Sequence, residues 1–527
     1  ADVPGLDAAI ERTEAYVKYH ANAGGFAYGF HGPREWDWNN NGTSAMAALC
    51  TALSGDKEAA KFFAATSAAS FGSFGQGHAS TLFSSYWTQA GAHLLGPEVT
   101  QGFFAKTIPY YTLRRNWDGT IQKCYNEGHM AGVVLLVHCL PRKALLITGR
   151  EADESIWMSA KQARSTVGMG DIDLRGKAPE EVLAHFGHPY PQVRSNAVAA
   201  IHGMVSGKHY EKMVRKKPAA AKASKQKAAT LFPTFKQLVS TGNHFEKHGA
   251  LRCYLIECPE AELDARLKDL ATILKDPQQP ADLRVAAATQ LASSGKKCLP
   301  YFNDMLAFLM EDRPDDRFKE IDVQLSEAID QVGREIEWDY YKAGWVTDKK
   351  LFHDAANRFM VHKRQNARGV GARMVRFVPT EMFHLVARPL EHILKNDDPA
   401  YHTYHNARKA MEPAVQIFGD HNILEGVNYL VDFILSGEGR WSFTMSMLTK
   451  SLPKYGIHAQ PALPKIKEYK WVKVMYAQAA INNGKHRFLE SFENMVKQIE
   501  NATDGPPLVP LEKAIELSKQ VDEKSAK

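Results

Sequence analysis

The chain has 527 residues, 44% of them hydrophobic and 24% charged, with a formal charge of +6. That length allows two to four domains of ordinary globular composition. The charge is too small to make the whole surface polyanion-binding, and no run reaches the roughly 18 to 20 apolar residues of a membrane span.

In chain order, Leu6 to His20 has the spacing of an amphipathic helix, with Leu6, Ile10 and Val17 on one face. A loop from Gly24 to Gly42 follows, rich in glycine, aromatics and amides: Trp36, Asp37, Trp38, Asn39 and Asn40 lie within it. It leads into a helix of small residues, Thr43 to Leu53, which ends near Gly55. Asp56 is then placed to cap a helix over Lys57 to Ser70.

The same sequence of parts recurs twice. Gly72 to His78 (with Gln76) is a second glycine-aromatic loop, followed by a helix to Leu95. Gly96-Pro97 stops that helix and sets Pro97 at the first position of one running to about Leu113. The third loop, Asn116 to Gly128, leads into an apolar helix, His129 to Leu140. Gly42, Gly77 and Gly128 each precede a lean helix, at separations of 35 and 51 residues, a repeat signature. Lean helices inside and charged ones outside predict a two-layer ring in which all three loops open at one end. The residues gathered at that mouth suit sugar chemistry. Asp37, Asp118 and Glu127 supply carboxyls for hydrolysis; His78 or His129 with Tyr125, Asn40 and Arg115 suit β-elimination. Trp36, Trp38 and Trp117 suit stacking on a sugar ring, with Gln76 beside them. The same residue types equally serve as helix caps, turns and plugs between hairpins.

The run Gly24-Gly25-Phe26-Ala27-Tyr28 with Asn41-Gly42-Thr43-Ser44-Ala45 resembles the hairpin repeat of α/α-toroids. That class includes terpene cyclases, protein prenyltransferases, polysaccharide lyases and glycoside hydrolases. Trp36-Asp37, Gln76-Gly77-His78, Tyr110-Tyr111, Arg115 and Trp117-Asp118-Gly119 resemble more closely a largely uncharacterised bacterial domain family. There a toroid is often accompanied by HEAT-like repeats, in exported proteins. The resemblance spans about residues 1 to 150 and implies a closed ring of about six hairpins. Three are present, which implies that Ala1 lies inside a domain whose earlier hairpins precede it. It carries no activity with it.

Residues 150–178 have mixed charge and are expected to be a linker. Residues 208–230 hold Lys212, Arg215, Lys216, Lys217, Lys222, Lys225 and Lys227 among alanines, with only Tyr210 as an aromatic. That composition predicts a solvated basic connector in preference to a nucleic-acid arm. Beyond it, His188-Pro189 with Val193-Arg194, and Asp276-Pro277 with Leu283-Arg284, resemble HEAT units. Asn396 to Pro399 with Ala407-Arg408 is a looser third. Further helices are expected at Phe232 to Ile256, Lys297 to Met310, Phe318 to Tyr341, Asp348 to His362, Ile423 to Leu435 and Trp441 to Leu452, with a last one after Val509. The acidic stretch Glu311 to Asp316 reads as a solvated turn, and Tyr401 to His405 as a surface patch.

The expected fold is all-α: part of an α/α-toroid to about residue 150, then a HEAT-like α-solenoid over 179–527. Neither a nucleotide-binding glycine loop nor a serine-hydrolase elbow is present, so no cofactor is expected. His31, His78 and His129 lack ligand spacing, so no metal is expected. The six cysteines fit neither a disulfide framework nor a zinc site. The functional expectation is an exported, non-catalytic scaffold whose solenoid holds a protein partner. The alternative is a polysaccharide-processing lyase or hydrolase acting at the ring's mouth.

Overall fold

A computed structural model describes residues 4–21, 24–26, 40–71, 82–113, 115–119, 130–140, 153–169, 174, 177–206, 218–256, 258–396, 406–436, 448–482, 484, 486 and 488–525. Regular structure among them is helical, and the fold is all-α; one isolated bridge joins Ile423 and Val509. The chain divides into two compact units, Ala1–Leu263 and Asp264–Lys527.

The first unit contains α1 (Leu6–His20), α2 (Asn40–Ser54), α3 (Lys57–Ala69), α4 (Leu82–His93), α5 (Pro97–Leu113), α6 (Met130–Cys139), α7 (Ala160–Thr166), α8 (Pro179–Leu183), α9 (Pro191–Ser206), α10 (Pro218–Thr241) and α11 (His244–Arg252). The small-residue helices pack on one another: α2 on α4, and α4 on α6. Their leanness has a steric cause. A Cβ built on Gly91 of α4 would stand 2.7 Å from the Ala45 Cβ and 2.9 Å from its Cα, so the two helices touch almost backbone to backbone. Around this contact Phe63, Leu95, Val99 and Phe103 pack with alanines of α2, α3 and α4 in one buried cluster.

The expected punctuation is present. Asp56 accepts a hydrogen bond from the Ala59 N–H at 3.1 Å and caps α3; Gly96 ends α4 with φ +95°. Loss of one such cap costs about 1 kcal/mol, so Asp56→Ala should lower the first unit's melting temperature by a few degrees. An unchanged transition would show the cap to be redundant.

Residues 153–169, expected as a linker, carry their own structure. Ser159 and Gln162 form a reciprocal cap at the start of α7, and α7 packs on α3 and α5. Trp157 lies on Gly96, where a Cβ would meet the indole at 2.8 Å. Two main-chain bonds fasten the segment, Met158 N–H to Leu95 O and Gly168 N–H to Ala68 O. The stretch expected as one helix over Phe232 to Ile256 is broken at Gly242 because Asn243 caps a new helix, α11. The described part of the basic tract, from Pro218, is the first half of α10.

The second unit contains α12 (Glu260–Lys275), α13 (Ala281–Ser293), α14 (Phe302–Met310), α15 (Glu320–Glu335), α16 (Lys349–Met360), α17 (Gln365–Met374), α18 (Ala387–Asn396), α19 (Asn406–Asp420), α20 (Glu425–Ser436), α21 (Leu463–Lys467), α22 (Lys470–Ile481), α23 (Leu489–Glu500) and α24 (Leu511–Ser525). Helices here pack on the next but one. One row runs α13, α15, α17, α19; another runs α14, α16, α18. The last helix folds back: Ser518 Oγ accepts the His384 backbone N–H at 2.9 Å, and the Glu425 carboxylate caps the Leu511 N–H.

Three corners between helices use an arginine alike. Arg194 donates to the carbonyls of His188 and Pro189 at 2.7 and 3.0 Å, and Arg368 to those of His362 and Lys363 at 2.8 and 3.0 Å. In both, the histidine Nδ1 accepts the N–H two residues on. At the third corner Asp276 does the accepting, and Arg284 Nε donates to Leu274 O at 2.7 Å. The guanidinium satisfies carbonyls that the ending helix leaves without donors. The third HEAT-like stretch named above has its turn, 397–405, outside the described residues, as does most of Trp441 to Leu452.

The His188 corner carries a pH signature. Burial, and then the neighbouring His185 and Arg194, push the imidazole down to about 4 from its ordinary 6.5. Between those values the unfolded chain takes up a proton that the folded corner refuses. Stability at this corner is therefore complete above pH 6.5 and declines as pH falls towards 4. Thermal unfolding at pH 7 and pH 5 should show a smaller loss in His188→Gln than in the wild type; equal losses would remove His188 from the account.

Candidate functional site

At the expected mouth, Trp36, Asp37, Trp38, Gln76, His78, Tyr125, Glu127 and His129, together with His31, lie outside the described residues. Asn40 begins α2, and its side chain is likewise outside them. Arg115, Trp117 and Asp118 share one exposed turn at the end of α5, closed by the Gly119 N–H on Asn116 O at 3.0 Å. Trp117 is 99% exposed, so its indole faces solvent and does not plug a gap between hairpins.

The end of the first loop is held on α2. The Phe26 N–H donates to Ser44 Oγ at 3.1 Å, Thr43 Oγ1 donates to Phe26 O, and the Phe26 ring packs edge-on to Tyr16 and Phe63. Behind it α4 buries a polar stripe: Ser84, Ser85, Thr88 and Gln89 are each at most 2% exposed, and the Gln89 amide donates to Thr107 Oγ1. Burial raises the Tyr111 phenol well above its usual value, so it stays a neutral O–H.

In the second unit a network of buried ion pairs ties successive helices. Arg284 binds Glu311 bidentately at 2.6 and 2.7 Å. Arg313 and Arg358 converge on Asp322, at 2.6 and 2.9 Å, and Arg364 reaches Glu320 at 3.4 Å. Arg313 also donates to the last carbonyls of α14, and Asp316 accepts the N–H groups of Glu320 and Ile321 at the start of α15. The stretch Glu311 to Asp316 is thus a buried junction, not a solvated turn, because its charges have partners on three helices.

Beside this network, α15 and α17 border a cleft of about 560 Å³, within the usual range of a binding site. The pairs Arg364–Glu320 and Arg373–Asp330 show that the two helices run side by side in one direction. From α15 come Glu327, Asp330, Arg334 and Glu335; from α17 come Asn366, Val370 and Arg373. Asp330 is gripped by both Arg334 and Arg373. The Arg373 guanidinium also lies 4.5 Å from the Trp338 ring centroid, a cation–π contact. Trp338 is seated by an unusual chain reversal: Glu337 and Trp338 have φ of +52° and +65°, and the Trp338 N–H bonds to Gly333 O at 2.7 Å. A Cβ on Gly333 would stand 2.4 Å from the indole, so only glycine admits it. The Asn366 side-chain oxygen is buried without a hydrogen-bond donor. Among the described residues no group of three or more His, Cys, Asp or Glu is placed to hold a metal, and no helix is long and apolar enough to cross a membrane.

Sequence reasoning missed this cleft. The available signals were the stretch 355–380, which has no acidic residue but five arginines, and a histidine six positions before an arginine at 362 and 368 that repeats 188 and 194. Compared with known proteins, residues 1–149 match the family model described as a domain of unknown function, DUF6288. No curated protein matches the chain.

Proposed function

We propose that this chain is a non-catalytic binding scaffold, with residues 1 to 150 a toroid segment and the second unit a HEAT-like solenoid that docks a protein partner. The observation that carries the reading is the alternating packing of the second unit. The row α13, α15, α17, α19 stacks separately from α14, α16, α18, and its corners are pinned by arginines that bind main-chain carbonyls. Stacked helix pairs leave one long face for a partner, and the ion pairs between them keep that face rigid.

The test is affinity capture from source cells with the wild-type chain and with Gln331→Arg/Asn366→Arg, which alters the α15–α17 face. A partner retained by the wild type and lost by the variant is the expected result; a monomeric chain that retains nothing contradicts it. The second reading, a polysaccharide-processing site at the first unit's loops, is favoured by one feature, the solvent-facing Trp117 beside Arg115 and Asp118. Release of reducing ends or unsaturated products from polysaccharides, lost in Asp37→Asn or His78→Ala, would establish that reading instead.

A further inference from the structure

The cleft between α15 and α17 has a chemistry that selects among partners. We infer that it receives a basic segment of a partner polypeptide, with lysine or arginine side chains directed at Glu327 and Glu335. This rests on the docking reading above and adds to it the character of what docks.

Three observations combine. The first is charge: three carboxylates (Glu327, Asp330, Glu335) face two guanidinium groups (Arg334, Arg373) across the cavity. The second is how those charges are used. Asp330 already has both arginines as partners, so the cations are turned inward on one carboxylate and the excess negative charge lies with the two glutamates. The third is an acceptor that lacks a donor. The Asn366 side-chain oxygen is buried without one, and a buried acceptor left so is costly until a donor arrives. Excess carboxylate and an open acceptor both ask for N–H groups bearing positive charge. An acidic segment would meet like charge and supply no donor.

Spacing refines the proposal. Glu327 and Glu335 are eight residues apart on one helix, about 12 Å along its axis. An extended peptide covers that distance in about four residues, so basic side chains at positions n and n+4 reach both glutamates. The peptide between them crosses Gln331 and Val370.

The experiment is fluorescence anisotropy with the full chain and three labelled heptapeptides: Gly-Lys-Gly-Ser-Gly-Lys-Gly and its versions with both lysines replaced by glutamate or by glutamine. The chain carries a formal charge of +6, so nonspecific attraction favours the acidic peptide, and preference for the basic one reports the cleft. The expected result is saturable binding of the lysine peptide alone. Glu327→Gln/Glu335→Gln should weaken it about tenfold, and Gln331→Glu, which adds a carboxylate to the same wall, should tighten it. Equal binding of the three peptides, no binding of the lysine peptide at millimolar concentration, or affinities unmoved by either variant would overturn the inference. Partner capture lost in Gln331→Arg/Asn366→Arg would still uphold the scaffold in that event, so the two fail separately.

Discussion

Asp322→Ala is expected to destabilise the second unit by roughly 3 to 5 kcal/mol, the cost of removing one partner from a buried ion pair. The Asp322 side chain is 2% exposed, and its two oxygens accept from Arg313 at 2.6 Å and from Arg358 at 2.9 and 3.2 Å. Arg313 is itself 9% exposed. Deleting the carboxylate leaves two guanidinium groups facing each other away from water, and neither can lose its proton. Asp322→Asn keeps the shape but turns an amide donor towards donors, so it should be nearly as damaging. Replacing all three residues together by apolar ones of similar size should recover much of the loss, because the charges no longer need one another. Denaturant unfolding of the three variants reads this directly. A single-variant cost below about 1 kcal/mol, the range of exposed pairs, would mean that water reaches the junction.

The second large effect is at Gly91, where the sign is informative. On an exposed helix, glycine to alanine stabilises by up to about 1 kcal/mol. In α4 the new methyl would stand 2.7 Å from the Ala45 Cβ, so α2 and α4 must separate. Gly91→Ala should therefore destabilise the first unit, and Gly91→Val should cost roughly 3 kcal/mol, the upper range for overpacking. Gly102 of α5 is the control: its added Cβ meets only Val167 at 3.6 Å, an ordinary contact. Gly102→Ala should be neutral or stabilising. If both alanine variants stabilise, the close contact between the lean helices is wrong.

These two positions show what the sequence could and could not disclose. The leanness of α2 and α4 is legible because glycine and alanine at helical spacing have a local meaning. So are the Asp56 cap, the Gly96-Pro97 stop, and the arginines at 194 and 284 beside their proline-containing turns. Asp322 gave no such signal. Its partners stand nine residues before it and 36 after it, and a pairing that long-range leaves no periodicity to read. The corner at His362 was hidden for another reason: it has no proline, and histidine takes the place that aspartate holds at 276. The packed segment 153–169 looked like a linker because its mixed charges conceal Ile156, Met158 and Ala163, which face inward. At the first unit's loops the residue types were readable, but their convergence depends on long-range geometry, and most of those positions lie outside the described residues.

The most direct test of the scaffold account is hydrogen–deuterium exchange on the chain with and without its captured partner. Protection is predicted on the row 281–293, 320–335, 365–374 and 406–420, centred on the α15–α17 face, while 302–310, 349–360 and 387–396 exchange as before. Protection confined to residues 24–42, 72–81 and 115–129, together with turnover of a polysaccharide, would contradict the scaffold and place the function at the first unit's loops.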